Sequence, residues 1–499
     1  MRSAHNTRWL LLITVAAGLL LITLDNSVLY TALPTLASEL EASPAQALWI
    51  INAYPLVMAG LLLGSGTLGD RVGHRRMFLV GLTIFGAASL MAAFAPNATL
   101  LIAARGVLAI GAAAMMPATL ALIRLAFEDE RERNLAIAVW GCLSIVGSAL
   151  GPIIGGLLLE HFWWGSVFLI NVPIVASAAC GAMAFAPEGK PDPTKSWDLP
   201  SSLLALSALS GLVFAIKALA HAPPSSSQAI VALAVAVTSG ALFVRRQSTL
   251  THPMLELSIF RNPAFLSGTL AAAFAMFAIG GLQLLTTQRF QLVGSYSPME
   301  AGLLVSAVAL GSLPSALLGG AYLHKIGLRL LISGGLGLGA LGVAIVSLSL
   351  VHGIGWVAFG LVFTGLGVGA AMAVASSAII GNVPADRAGM ASSVEEVSYE
   401  FGSLIAVALL GSLVAALYSA SLEFPAGISE SARTDVAAAM ALAREHGRHD
   451  LAQAAATAYD AAYITALYLI AAVMMIGAIV TGVLLRRHGA GSTSSMAFH

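Results

Sequence analysis

Charge is scarce in this 499-residue chain: 24 Lys and Arg with 24 Asp and Glu make up 10% of it, against about 25% in an ordinary soluble domain. So few charges cannot wet a soluble protein of this length. Neither sign is in excess, and a nucleic-acid-binding role, which needs a basic stripe to displace counterions, is excluded on that ground. Cysteine is nearly absent. Cys142 and Cys180 both lie in apolar runs, read as small buried hydrophobes, and supply no disulfide framework, zinc spacing or redox pair. The only Gly-Lys pair, Gly189-Lys190, runs into Pro191, so no Walker A loop exists. No nucleophile–base pair or metal cluster stands in the loops, which argues against an enzyme, and no metal or other cofactor is implied.

The surplus is apolar. Hydrophobic residues make up 58% and mean hydropathy is +0.89, spread over the whole length, and the bilayer is the solvent that suits such a chain. Apolar runs recur near 9–33, 46–68, 77–95, 99–123, 134–159, 164–186, 199–219, 228–244, 263–288, 299–323, 329–350, 353–377, 391–417 and 459–485. The expected fold class is an all-α integral membrane protein with fourteen spans. The first run follows Arg2 and Arg8 as a secretory signal would, but its length, Asp25 and the many later runs make it a retained span.

Short cytoplasmic loops collect Lys and Arg. With the N-terminus inside, 18 of the 24 basic residues fall on the cytoplasmic side, among them Arg71, Arg75, Arg76, Arg329, Arg486 and Arg487. Lys217, Arg289, Arg433, Arg444 and Arg448 fall outside, and Arg105 lies within a span. Both termini are thus expected to be cytoplasmic. The chain divides into six spans over 1–186, two over 187–262 and six over 263–487, with a tail over 488–499. The outer loop 419–458 is Ala-rich and charged over Ser431 to Ala458, which predicts a small helical hairpin.

The halves echo each other weakly. Gly69-Asp70-Arg71-Val72-Gly73-His74-Arg75-Arg76 follows the second span, and Leu323-His324-Lys325-Ile326-Gly327-Leu328-Arg329 follows the tenth. Each sets a basic residue two before a Gly and another just after it. Internal repeats of this kind build transporters, with the site at the interface of the halves.

Four acids fall inside spans: Asp25, Glu395, Glu396 and Glu400. An ionised side chain at a helix centre costs roughly 2.5–3.5 kcal/mol on insertion scales, so each must meet a partner, water or substrate. Asp25 lies about 24 Å along the first span at 1.5 Å per residue. Arg105, a few residues into an inward-running fourth span, has similar depth and is its expected partner; a purely structural ion pair is the alternative. On the thirteenth span Ser392, Glu395, Glu396, Tyr399, Glu400 and Ser403 share one sector of the helical wheel, while Val394, Val397, Phe401 and Leu404 form a lipid or packing face. A membrane carboxyl can bind a proton or attract a cation. One charge crossing about 100 mV is worth ~2.3 kcal/mol, enough to sustain more than a tenfold solute gradient without ATP.

The fifth span carries Gly147-Ser148-Ala149-Leu150-Gly151-Pro152-Ile153-Ile154-Gly155-Gly156. Glycines spaced by four permit close helix approach, and Pro152 permits a bend.

With these motifs the sequence resembles the major facilitator superfamily, specifically its fourteen-span drug:proton antiporters, over essentially the whole chain. Gly66-x-Leu68-Gly69-Asp70-Arg71-x-Gly73-His74-Arg75-Arg76 is similar to the signature loop between spans two and three. The Gly147 to Gly156 run resembles the motif associated with antiporters. Leu24-Asp25 with Ala32-Leu33-Pro34, and Trp49 with Tyr54, resemble the first-span motif and the opening of span two. In the fourth-span motif Arg105 and Gly111 stand, but Leu108 and Ala109 replace the frequent Gln and Gly. Residues 395–402 are similar to the branch that exports methyl viologen and quaternary ammonium biocides.

That resemblance implies two six-helix bundles plus two additional helices. It also implies proton coupling at Asp25, cation recognition or coupling at Glu395 and Glu400, and conformational roles for Gly69, Asp70, Arg71, Gly73 and Arg75 and for Gly147, Gly151, Pro152, Gly155 and Gly156. Glu396 has no counterpart in that branch and is placed with cation recognition by position. Tyr54, Met58, Phe277, Gln283 and Tyr399 are the expected cavity residues for lipophilic cations. The expected function is a monomeric, proton-coupled multidrug antiporter of the bacterial cytoplasmic membrane. Its partners are protons, lipophilic cations and the bilayer. A proton symporter for a nutrient and a non-transport membrane scaffold are the alternatives.

Overall fold

The computed structural model describes residues 2–127, 129–189, 191, 197–220, 225–251, 253–349, 352–383, 387–420 and 430–488. Among the described residues all regular structure is helical, and fourteen helices are long and apolar enough to cross a membrane. The first six are Arg2–Glu39, Pro44–Val72, His74–Ala93, Ala98–Ala126, Glu130–His161 and Ser166–Phe185. The seventh and eighth are Leu199–Ala220 and Ser226–Thr249, and the last six are Pro263–Val293, Pro298–Ile326, Leu330–Leu348, Ile354–Ile380, Ala388–Ser419 and His449–Leu484.

The helix starts show the repeat more clearly than the loops do. Ser43 and Ser297 cap the second and tenth helices, each followed by Pro at the first helical position. Gln46 and Glu300 return the bond to the cap N–H at 3.0 and 2.8 Å. Both helices end on a glycine with positive φ, +100° at Gly73 and +87° at Gly327, whose N–H closes the last turn at 2.8 Å. A side chain there would be strained, so the echo in the loops has a backbone cause.

Neighbours within the halves correspond as well. First packs on fifth as ninth on thirteenth, third on fourth as eleventh on twelfth, and third on sixth as eleventh on fourteenth. One core is built from residues 11–186 with Leu284 and Val407 reaching in, and a second from residues 264–485. The contacts that cross the seam include first with ninth and with tenth, second with thirteenth, and fifth with tenth.

The seventh helix lies over the seam, against both the second and the thirteenth. Leu206 and Ser202 seat on Gly60 and Gly64, and Leu56, Val213, Leu404 and Ala408 share one small core. At its start Asp198 takes a fork from Arg246 at 2.9 and 3.1 Å and a bond from the Ser201 hydroxyl, while Gln247 donates to Ser201 at 2.7 Å. Partial burial raises the Asp198 pKa, yet these donors outweigh it and hold the carboxyl below its ordinary range. Lys217 is in the last turn of this helix instead of a loop, its ammonium 4.2 Å from the Trp49 ring centre.

Two expectations change, and a third, open between lipid and packing, is decided. Cys180 is exposed, because the outer surface of a bundle in lipid can itself be apolar; the Cys142 side chain lies outside the described residues. The fourteenth helix starts at His449, so the 419–458 loop is shorter than its polarity implied. Helices Glu430–Thr434 and Val436–Glu445 fill what remains, with 421–429 outside the described residues. Val394 and Leu404 are buried and Val397 packs on the first core, so that side of the thirteenth helix packs against protein and only Phe401 is exposed.

Candidate substrate and proton site

The first and fourth helices pack together, and this contact joins the two buried charges of the N-terminal half. Asp25 Oδ2 accepts from Arg105 Nη1; Arg105 is fully buried and Asp25 is 2% exposed. Such a pair persists only if further bonds offset the loss of hydration. Asn171 of the sixth helix donates to Asp25 Oδ1 at 2.8 Å and reaches Ser89 of the third at 3.3 Å. Arg105 Nε donates to the Ile50 carbonyl at 3.2 Å, and the guanidinium lies 4.5 Å from the Tyr54 ring centre. Five helices thus hold Asp25 with both oxygens engaged. Arg105 Nη2 and the Tyr54 hydroxyl are buried without a hydrogen-bond partner among the described residues.

Across the seam stands the thirteenth helix. The Tyr30 hydroxyl meets Ser403 Oγ at 2.9 Å, tying the two halves. One turn back, Glu400 Oε2 is buried with no hydrogen-bond partner among the described residues. Arg105, Tyr30 and Tyr54 are within its electrostatic reach. Glu395 is held within its own half, accepting from Tyr399 at 2.8 Å and from Ser376 of the twelfth helix at 3.2 Å. Glu396 sits close enough to Glu395 and Glu400 for their charges to repel. The acidic sector read from the helical wheel is therefore one cluster, and Glu400 is the member that shares the neighbourhood of the ion pair.

The other expected site residues divide. Tyr54 belongs to the ion-pair cluster. Met58 and Phe277 pack in the cores of their own halves, and Gln283 is buried on the ninth helix one turn from Thr287, which donates to the Tyr30 carbonyl at 3.0 Å.

The fifth-helix glycines sit where three helices meet. Gly147, Gly151 and Gly155 receive Thr23, Ser27 and Val28 of the first helix, while Gly156 abuts Met299 of the tenth and Gly302 abuts the Pro152 carbonyl. Ser306 donates to the Ala149 carbonyl at 3.0 Å, and Gln291 to the Thr31 carbonyl at 2.9 Å. These bonds fasten the halves together on the face away from the termini. In the loop after the second helix, Asp70 meets His74 at 3.0 Å, and Arg75 reaches Glu188 at 2.8 Å and the Met183 carbonyl at 2.7 Å. Arg71 lies in the last turn before Gly73.

Sequence reasoning restricted to ionisable groups missed Asn171. A buried amide in an apolar helix needs partners almost as much as a charge does, and that signal was available. It also missed Gly302, whose role depends on a partner 150 residues away.

Twelve of the fourteen membrane-length helices among the described residues form two matching halves, with a buried ion pair in one and, within its electrostatic reach, a buried acid in the other; this is the architecture of a membrane transporter. The family model for the Major Facilitator Superfamily matches residues 15–292 and 290–429, and the chain belongs to that superfamily. It is 39% identical over 425 residues to the methyl viologen resistance protein SmvA of Salmonella typhimurium, 84% of this chain and 85% of that one. It is 37% identical over 488 residues to the multidrug efflux pump LfrA of Mycolicibacterium smegmatis, 96% of each. Among solved structures, a bacterial homologue of the human lysosomal transporter Spinster superposes with a TM-score of 0.68 at 16% identity, covering 96% of this chain and 97% of that one. The relatives are resistance and drug efflux proteins, and relatives and fold alike are those of Major Facilitator Superfamily transporters and not of enzymes.

Proposed function

We propose that the chain exports lipophilic cations, including quaternary ammonium biocides, methyl viologen and cationic dyes, in exchange for protons. It works by alternating access as a monomer in the bacterial cytoplasmic membrane, with both termini cytoplasmic. On that orientation the bonded face is the outer one, and the structure is an outward-closed state. One observation supports the reading: buried Arg105 is bonded to Asp25 and lies within electrostatic reach of Glu400 on the opposite half, while Glu400 Oε2 and Arg105 Nη2 have no hydrogen-bond partner among the described residues.

Two buried carboxylates cannot both stay ionised on one guanidinium, because an unpaired buried charge costs several kcal/mol, to an order of magnitude. With Arg105 on Asp25, Glu400 must take a proton or a cation. A lipophilic cation satisfies it with charge, and Glu396, Tyr399 and Tyr54 offer further negative or aromatic surface. Once the outer face opens, a proton on Glu400 removes the attraction and releases the drug. When the halves close again, Arg105 Nη2 can turn to Glu400, and that proton passes inward by way of Asp25 as its bond to Arg105 loosens. Proton and drug compete for the same negative charge, which is the requirement for exchange. The antiporter-type glycines at the fifth–tenth helix contact favour this over symport.

The test uses everted vesicles with an acid interior and a pH-sensitive dye. Adding a quaternary ammonium compound should release interior protons with wild-type protein and not with Glu400→Gln. No drug-linked proton movement, with unchanged susceptibility in a pump-deficient host, overturns the reading.

A further inference from the structure

Outside the transport site, the eleventh and fourteenth helices leave a groove of about 480 Å³ between them on the face that carries the termini. We propose that this groove binds an anionic phospholipid, its phosphate between Arg329 and Arg486 and one acyl chain along the groove floor.

The groove has a residue-level cause. Arg329, Ser333 and Gly337 recur every four residues on one helix, and Ala478, Gly482 and Arg486 do so on its antiparallel neighbour. Each stripe has small residues inward and its arginine at the same end. Ser333 Oγ donates to the Ala478 carbonyl at 2.6 Å, holding the floor closed, while Met475, Ile479 and Val483 form an exposed apolar wall. From Arg329 to Gly337 is about 12 Å and from Arg486 to Met475 about 16 Å at 1.5 Å per residue. That is close to the ~15 Å half-thickness of a bilayer core. Charges at headgroup level above an apolar groove one leaflet deep match a phospholipid, and basic pockets between spans are where anionic headgroups bind.

The matching place in the N-terminal half shows what is missing. There the third and sixth helices carry Arg75, two residues after Gly73 as Arg329 is after Gly327. Arg75 is neutralised by Glu188, three residues past its helix end. In the C-terminal half the position two residues past the fourteenth helix is Arg486, a second cation where the first half has an acid. Arg329 and Arg486 have no acidic partner among the described residues, whereas Arg8, Arg246 and Arg387 on the same face are paired with Glu132, Asp198 and Glu256. Two neighbouring cations without their own anion call for an external one.

The test is lipid retention by native mass spectrometry on the full chain, purified from membranes doped with phosphatidylglycerol or phosphatidylcholine. Wild type should retain phosphatidylglycerol selectively. R329Q/R486Q should weaken that retention about 30-fold, each charge near a membrane surface being worth roughly fivefold. Gly337→Leu blocks the acyl chain without touching the charges. A Cβ at Gly337 meets only Ala478 Cβ at 3.9 Å, so the variant should fold and lose the lipid as well. Soluble glycerol phosphate in excess should not displace the lipid. Equal retention by R329Q/R486Q and wild type, or retention by Gly337→Leu at the wild-type level, overturns the proposal. Displacement by glycerol phosphate alone makes this a free-phosphate site and overturns it too.

Discussion

If Arg105 serves two acids in turn, Asp25 and Glu400 are energetically coupled although no bond joins them, and a double-mutant cycle reads that coupling. Asp25→Asn leaves the fully buried Arg105 without its anion, which by itself costs about 3–5 kcal/mol. Glu400 can substitute, since a carboxylate brought to ~4 Å from a guanidinium at an effective dielectric of 20 recovers ~4 kcal/mol. The single variant should therefore lose only about 1 kcal/mol net while abolishing drug-linked proton movement. Glu400→Gln removes an oxygen that has no partner, so it should be neutral or slightly stabilising on the scale of ~1 kcal/mol. The double variant strands the arginine and should show the full loss of about 3–5 kcal/mol. The expected coupling is about 2–5 kcal/mol, well above the ~0.5 kcal/mol of independent sites. The measurement is unfolding free energy by denaturant titration in mixed micelles, with vesicle proton movement recorded on the same preparations. Additive losses would show that Arg105 never reaches Glu400, and the shared-arginine exchange would fall.

Other parts of the structure make separate predictions. Asn171→Ala removes a donor to a charged carboxylate and should lower stability by about 1.5–3 kcal/mol, with Asn171→Ser recovering part of it in thermal melts; no loss would mean the 2.8 Å bond is not made in the membrane. Gly302→Val thrusts a side chain at the Pro152 carbonyl and should part the outer seal, so a cysteine at Gln291 should react several-fold faster with an impermeant maleimide in intact cells; equal rates would refute the seal. Asp198→Asn should loosen the seventh and eighth helices by about 1 kcal/mol, the pair being open to solvent on its Arg246 side. Because the folded Asp198 pKa is depressed, its contribution is present above the ordinary carboxylate range and lost as pH falls below it; a clamp insensitive to both changes would contradict the geometry. A cysteine at exposed Arg433 should be labelled from outside intact cells, and labelling only after lysis would invert the topology.

The spans were legible because a 3.6-residue repeat matters little when a helix is apolar on every side: length and hydropathy suffice, even for the faint seventh and eighth. The partnership of Asp25 and Arg105 was legible too, since two opposite charges at one depth in lipid have few alternatives. What escaped was set by contacts between helices, within a half for Asn171 and across the seam for Gly302. Nothing in residues 395–400 distinguishes Glu395, tied to Ser376 and Tyr399, from Glu400, which lacks a partner on one oxygen. Both lie in the same sector of the same helix, and only the neighbours that other helices bring to each separate their roles. Cys180 misled for a related reason: burial in a core and exposure to lipid call for the same side chain.

The repeat also explains why the chemistry concentrates at one place. Helices two and ten, with their matching Ser-Pro caps and Gly ends, and helices five and thirteen, which pack across the seam onto ten and two, are a scaffold that treats the halves as equivalents. A symmetric scaffold with symmetric charges could rock, but it would have no reason to link the rocking to a proton. Here the halves are chemically unequal: the arginine and its saturated acid belong to one, and three acids with no ion-pair partner of their own among the described residues belong to the other. In the proposed exchange, closing the seam would bring the surplus acid toward the shared arginine, and opening it would separate them. On that proposal protonation at this point would be tied to the relative position of the halves, whereas the same acid buried within either bundle would feel no difference between the two states.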